Sequence, residues 1–543
     1  MHLRYLNLSW SHIRRLPEST SNLCNLQTLK LIKCLELRSL PENMSNLVNL
    51  RHLNISFGTA LLKILPFADR RLLDLPKRIR NLINLRDIDT SFSMSLQNIL
   101  PLAERESYSN SLSRLISTPP GLGKLIHLQT LSNFVVTRRA GCGVEELKTM
   151  ADLKGSLCIS KLENVTCSAK AKEADLKSKH RLHELTLRWS EENVLNLQNE
   201  VNEEEVIECL HPNKNIKVIR IENFGGARFP TWMGNGALSN LVSICFINCQ
   251  KCKPLPPFWK LPLLKDLKIH GIHGLQRIGR EFYGDGAVGF PSLETLELKD
   301  MPTLEDWPRA EAGDIPCLRE LTIWDCPKLI NLPNLPCTLA TLEIVNCMGF
   351  QYFPMLHSIR NLVLGQCDEV ILNSLSSFTA MSSLTVSGFT KLRSLPPELL
   401  QSLTSLKELK FINCDELNFL AWDQNLSYHS SLEYLEICCC PQFKSLEDEY
   451  LPPTLKSLRI VSCLCLTSLP DEMQHLSALQ FLEVWNCPQL SKLPEREMPA
   501  ALQLFWVRRC PALKERCQDE GEDWPKIAHI PNIRIDLEWI QQN

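Results

Sequence analysis

The sequence predicts an α/β solenoid, with a parallel sheet along one side and short irregular or helical segments along the other. Three observations predict it. Apolar residues recur in the spacing LxxLxLxxC: Leu318, Leu321, Ile323 and Cys326 set a frame that restarts at Leu339, Ile359, Met381, Leu406, Leu432, Leu455, Leu479 and Leu502. Those starts lie 20 to 26 residues apart, the mark of one stacked array rather than several separate domains. Leu-Pro pairs such as Leu332-Pro333, Leu395-Pro396 and Leu469-Pro470 follow the frame, and proline there fixes φ and offers no amide to extend a strand.

The frame explains each element in turn. Leu321 and Ile323 are two residues apart, so on an extended chain both side chains reach the same face, while Thr322 and Trp324 point away. One such unit cannot bury its apolar face alone; stacked units share a continuous core. Earlier copies begin at Leu3, Leu26, Leu50, Leu85 and Leu128, then at Leu182, Ile216, Leu241, Leu264 and Leu293. Spacing and period together define leucine-rich repeats, so the expected architecture is a horseshoe with a concave parallel sheet. Cys34, Cys249, Cys326, Cys347, Cys367, Cys414, Cys440, Cys463, Cys487 and Cys510 fill the last frame position and are expected inside as small, reduced thiols.

Breaks in the frame suggest an organisation. Residues 1–137 form an N-terminal block with an inserted loop near 91–120, and 138–215 hold irregular repeats with an acidic insertion at 191–208. A regular block covers 216–520, and 521–543 read as a cap or tail. The acidic stretch contains seven glutamates and no basic residue between Glu191 and Glu208; a solvated loop or helix edge is the plain reading, a docking loop the functional one.

Composition narrows the function. With 59 basic and 61 acidic residues the net charge is −2, which gives no general affinity for nucleic acid or anionic membranes. No apolar run is long enough for a membrane-spanning helix. Twenty-three cysteines in 543 residues are too sparse for a disulfide-built secreted scaffold. No phosphate loop of the form GxxxxGK[ST], GxSxG elbow or Cys-His nucleophile pair occurs. Gly284–Gly289 matches GxGxxG, but Phe290-Pro291 follows where a helix should start, so a loop is expected there. Cys249 and Cys252 form a lone CxxC, with Cys249 already claimed by the repeat. The sequence therefore predicts no enzyme, cofactor or metal site.

What remains is surface. One outward column runs Asn7, Lys30, Asn54, Thr186, Arg220, Cys245, Lys268, Glu297, Thr322, Glu343, Val363, Thr385, Lys410, Glu436, Arg459, Glu483 and Trp506. Its mixed polarity suits a protein partner. From this column and the neighbouring outward positions, Trp10, Trp189, Arg220, Lys268, Trp324, Lys410, Arg459, Trp485 and Trp506 are the partner-binding candidates, since tryptophan and arginine are favoured interface anchors.

The chain also resembles a known family. Leu210-His211-Pro212, Phe224-Gly225-Gly226, Phe229-Pro230-Thr231-Trp232, Cys249-Gln250-Lys251-Cys252 and Ile278-Gly279-Arg280-Glu281-Phe282-Tyr283-Gly284 are similar to the leucine-rich repeat region of plant intracellular coiled-coil, nucleotide-binding disease-resistance proteins. Gly521-Glu522-Asp523-Trp524-Pro525-Lys526-Ile527-Ala528-His529-Ile530 fits the same family. The resemblance implies recognition of a pathogen effector or a guarded host protein, restraint of an adjoining nucleotide-binding module, and a cytoplasmic or nuclear location. It does not carry ATP hydrolysis onto these residues, which lack the phosphate loop. Leu3, Leu6 and Leu8 are expected to leave an apolar edge that an upstream module would cover. An F-box-type ubiquitin-ligase adaptor fits less well, because its repeats are more uniform and lack the Leu-Pro turn. An extracellular receptor would show a signal segment and GxIP repeats. A truncated, inactive receptor remnant remains an alternative.

Overall fold

A computed structural model describes residues 2–34, 36–58, 75–90, 92–93, 117–191, 202–284, 289–307, 314–351, 353–354, 356–420, 431–446, 450–536 and 538–542. Most of the expected loop near 91–120, part of the acidic insertion and the centre of the GxGxxG stretch lie outside them. The chain forms two compact units, Met1–Gly274 and Leu275–Asn543.

In the first unit, five short strands pair in parallel: Tyr5–Asn7, Thr28–Lys30, His52–Asn54, Asp87–Asp89 and Thr130–Leu131. A second parallel run follows: Asn133–Val135, Lys154–Ser160, Arg181–Arg188, Val218–Glu222, Ser243–Ile247 and Asp266–His270. In the second unit, among the described residues, eleven parallel strands follow sequence order from Thr295–Lys299 through Glu320–Trp324 to Leu504–Arg508 and Asn532–Ile535, and Glu538–Gln542 closes the run antiparallel. The stretch after residue 520 thus supplies one more rung and its cover.

The two-residue alternation decides which side chains meet. Leu321, Leu342, Leu362, Leu384, Leu409, Leu435, Leu458 and Leu482 pair in register and are all buried. Burial of one such side chain stabilises by roughly 1.5–3 kcal/mol. Opposite the sheet run short 3₁₀ or α segments, such as Glu42–Asn46, Glu369–Ser377 and Pro397–Ser402. Several begin just after the Leu-Pro pair, where proline at the N-cap or first helical position costs no hydrogen bond.

From Val218–Glu222 onward, each parallel strand is followed by a residue with left-handed backbone, and where the rung has a frame cysteine it comes next. Asn248, Asp325, Asn346, Asn413 and Asn486 have φ of 54–55°. Their amides donate to the next rung, for example Asp325 N–H to the Val345 carbonyl at 2.9 Å and Asn486 N–H to Arg508 at 2.8 Å. Asn and Asp tolerate this conformation better than other residues with a Cβ. The turn directs the following cysteine inward, where Cys326 Sγ lies 3.3 Å from the Trp324 carbonyl and Cys347 Sγ 3.4 Å from that of Val345. The thiols thus donate to a strand carbonyl of their own rung, and Cys34, Cys249, Cys347 and Cys367 also reach carbonyls of the preceding rung.

Burial pushes the thiols of Cys249, Cys367 and Cys463 up to about 12, so they stay protonated at neutral pH. At pH 8 an alkylating reagent should modify the exposed Cys24, Cys167 and Cys337 first and reach the frame cysteines only on denaturation, as read by peptide mass spectrometry.

The last rung is held by a buried carboxylate. Asp523 is fully covered and accepts from Arg516 Nε (2.8 Å), Lys526 Nζ (2.8 Å) and the Leu493 amide (3.0 Å). Burial would raise its pKa, but these three donors outweigh it and hold it below the usual carboxylate value. Its stabilising contribution is complete above the unfolded value near ~4 and disappears as pH falls through the lower folded value.

Two outcomes follow from these contacts. Asp523→Asn should cost about 2 kcal/mol, less than a fully buried pair because Arg516 and Lys526 reach water, and it should flatten the acid limb of a urea-midpoint against pH curve. Asn413 is exposed, so Asn413→Ala should lower the urea stability by about 1 kcal/mol through backbone strain alone, while Asn413→Gly should be nearly neutral.

Candidate functional site: the solvent face of the sheets

The register aligns the outward column expected from the sequence. Thr186, Arg220, Cys245 and Lys268 are neighbours in the first unit; Glu297, Thr322, Glu343, Val363, Thr385, Lys410, Glu436, Arg459, Glu483 and Trp506 are neighbours in the second. Arg534 extends that second column by one rung.

Between the Tyr434–Cys438 and Phe481–Trp485 strands, the column becomes a network. Arg459 Nε lies 2.7 Å from Glu483 Oε2, and its Nη1 lies 3.1 Å from Glu436 Oε1. The Tyr434 hydroxyl donates to Glu436 Oε2 at 3.0 Å. Burial alone would lower the Arg459 pKa, but Tyr434, Glu483 and Glu436 reverse that and hold the guanidinium charged. Lys410 extends the polar row, with Nζ 3.4 Å from Glu408 and 5.1 Å from the centre of the Tyr434 ring.

The tryptophan candidates separate by position. Trp485 and Trp506 are half-buried on the solvent face of the second unit, with the Arg508 and Arg534 guanidinium carbons 4.9 Å from their respective ring centres. Trp324 belongs to the same face but is only 4% exposed, because Lys299 Nζ sits 3.7 Å over its ring. Trp189 corrects the expected outward placement: it occupies the turn after its strand, is 1% exposed and packs at 5.0 Å on Phe224. Trp10 is 63% exposed at another turn, with Lys33 Nζ 3.7 Å from its ring. Arg220 is half-buried, with Nη1 3.8 Å from the buried Glu222, and Lys268 is half-buried two strands further along the same column.

Two other sequence features have structural partners. The helix Glu203–Cys209 begins in the acidic stretch, and three of its carboxylates bind the next rung: Glu203 accepts from the Gly225 amide (2.9 Å), Glu204 from Ala227 (2.8 Å) and Glu208 from Thr231 (2.8 Å). These glutamates hold the chain between Phe224 and Trp232 in place. Cys249 and Cys252 are both buried; the Cys252 thiol donates to the Gly226 carbonyl at 3.2 Å. Among the described residues, no cluster of three His, Cys, Asp or Glu side chains has the arrangement of metal donors.

A family model described as R13L1/DRL21 LRRs matches residues 144–272, the part containing the acidic-helix clasp and the Cys249–Cys252 pair. A disease-resistance protein named RGA1 from Solanum bulbocastanum is 35% identical over 56% of this chain and 28% of its own length. One named RGA4 from the same plant is 30% identical over 78% of this chain and 38% of its own. An RPP13-like disease-resistance protein of Arabidopsis thaliana is 36% identical over 54% and 31%. The chain is similar to the leucine-rich repeat region of plant disease-resistance proteins. It spans about a third of the length of these relatives. Among the described residues, no helix is long and apolar enough to cross a membrane.

Sequence reasoning missed Arg508, Arg534, Tyr434 and Trp539. Arg508 carried a usable signal, because Trp485 and Arg508 both stand two residues before a frame cysteine and so had to be neighbours. Arg534 and Trp539 carried none in the frame, since no cysteine marks the last rung.

Proposed function

We propose that the solvent face of the second unit's sheet is a protein-binding surface, and that the chain is the recognition part of a plant immune receptor. Its ligand is a pathogen effector or a host protein altered by one. In the complete receptor the repeats also restrain a nucleotide-binding module. The observation that carries the reading is the Arg459 network with Trp485 and Trp506 beside it: charges and half-buried aromatics held on rigid strands, each indole with an arginine over its ring. Strand-mounted groups of this kind lose little conformational entropy on binding. Similarity to disease-resistance proteins supports the immune assignment.

The test is site-specific photocrosslinking in leaf tissue, with the reactive residue at position 410 on the sheet face or at the exposed Val370 on the opposite segment. Position 410 should capture one protein whose yield changes on pathogen challenge, and position 370 should not. Arg459→Ala combined with Trp506→Ser should reduce that capture at least tenfold, in line with about 2 kcal/mol for interface anchors. Equal, challenge-independent labelling at both positions would contradict the reading.

A further inference from the structure

Five side chains on the last three parallel strands and the closing strand form a stack with an unmet chemical demand. Trp485 and Arg508 are paired residues on adjacent strands, and the guanidinium lies 4.9 Å from the indole centre. Arg534 pairs with Trp506 on one side and with Trp539 on the other, at 4.9 Å and 5.4 Å from the two ring centres. Stacking takes up the flat face of a guanidinium and leaves its in-plane N–H fork available. Among the described residues, neither the Arg508 nor the Arg534 guanidinium makes a hydrogen bond or ion pair, and Arg534 Nε is a covered donor without a partner.

The nearby acids are already engaged. Glu483 is bound by Arg459, and Asp536 by Lys514 Nζ (2.8 Å) and the Arg509 amide (2.9 Å). Among the described residues the two guanidinium groups therefore have no ion-pair or hydrogen-bond partner of their own, and the acid that acts on Arg508 through space, Asp536, is already bound by Lys514 and the Arg509 amide. We infer that the stack receives an acidic segment of the protein partner, with one carboxylate on Arg508 and a second on Arg534. This rests on the protein-binding reading above and adds the partner's chemistry to it.

Spacing refines the match. Arg508 and Arg534 stand on adjacent strands, offset by two residues along the strand. Strand separation and rise place their Cα atoms roughly 8 Å apart. Alternate residues of an extended peptide are about 7 Å apart on one side, so an acid-x-acid sequence presents its two carboxylates at nearly the same interval. The indoles then provide apolar walls beside the peptide, and the planar forks favour carboxylate in bidentate geometry.

The test uses the full chain and a fluorescein-labelled ten-residue peptide of alternating Glu and Thr, with its Gln counterpart and a short inorganic polyphosphate as separate probes. The Glu peptide should bind at least tenfold more tightly than the Gln peptide, change the tryptophan emission and weaken with added salt. Arg508→Gln with Arg534→Gln should remove that preference, and Arg508→Gln alone, which leaves the closing strand untouched, should lower it about threefold. Arg393→Gln, at an exposed arginine paired with Glu416, should leave it unchanged. No binding of the Glu peptide, equal binding of the Gln peptide, stronger binding of polyphosphate, or full affinity in the double variant would each overturn the inference. If capture at position 410 still depends on Arg459 and Trp506, the protein-binding reading stands and only its acidic specificity falls.

Discussion

From Val218–Glu222 onward, one left-handed residue just after each parallel strand is the constraint on which the rest depends. At Asn248, Asp325, Asn346, Asn413 and Asn486 it turns the chain out of the sheet and passes an amide to the next rung. It also points the following thiol inward. Side chains alternate strictly along a strand, so a slip of one residue would move every core leucine to solvent. The repeated turn is thus coupled to the register, and the register decides which solvent-facing groups become neighbours.

That coupling links core and surface. Leu482 and Phe505 are buried partners across two strands, and the same pairing puts Glu483 beside Trp506 and Trp485 beside Arg508. The charged network around Arg459 lies on a backbone whose position the core has already fixed. Its consequence is orientation: Glu436 and Glu483 hold the Arg459 guanidinium, while Arg508 and Arg534 are held by ring faces and keep their donors.

Most of the fold was legible because its physics is local and repeated. The LxxLxLxxC frame identified the buried leucines, the inward cysteines and the outward column from Glu297 to Trp506. Exposure was harder to read. Trp189 and Trp324 satisfy simple patterns, yet Trp189 lies in a turn against Phe224 and Trp324 lies under Lys299 from the previous rung. Each outcome depends on a neighbour some 25 to 35 residues away, where insertions change which residues meet. The acidic stretch was ambiguous for a similar reason: the acceptor role of Glu203, Glu204 and Glu208 depends on amides in the following rung. The last strand was hidden because its rung departs from the cysteine frame.

Residue-resolved hydrogen exchange tests the central claim most directly. The amides of Asp325, Asn346, Asn413, Ser462 and Asn486 donate across rungs at 2.7–2.9 Å, so they should be protected as strongly as the amides of the strand leucines beside them. Exchange of these five at the rate of open turn amides, with the strands still protected, would show that the turns do not tie rung to rung and would remove the basis for the aligned surface.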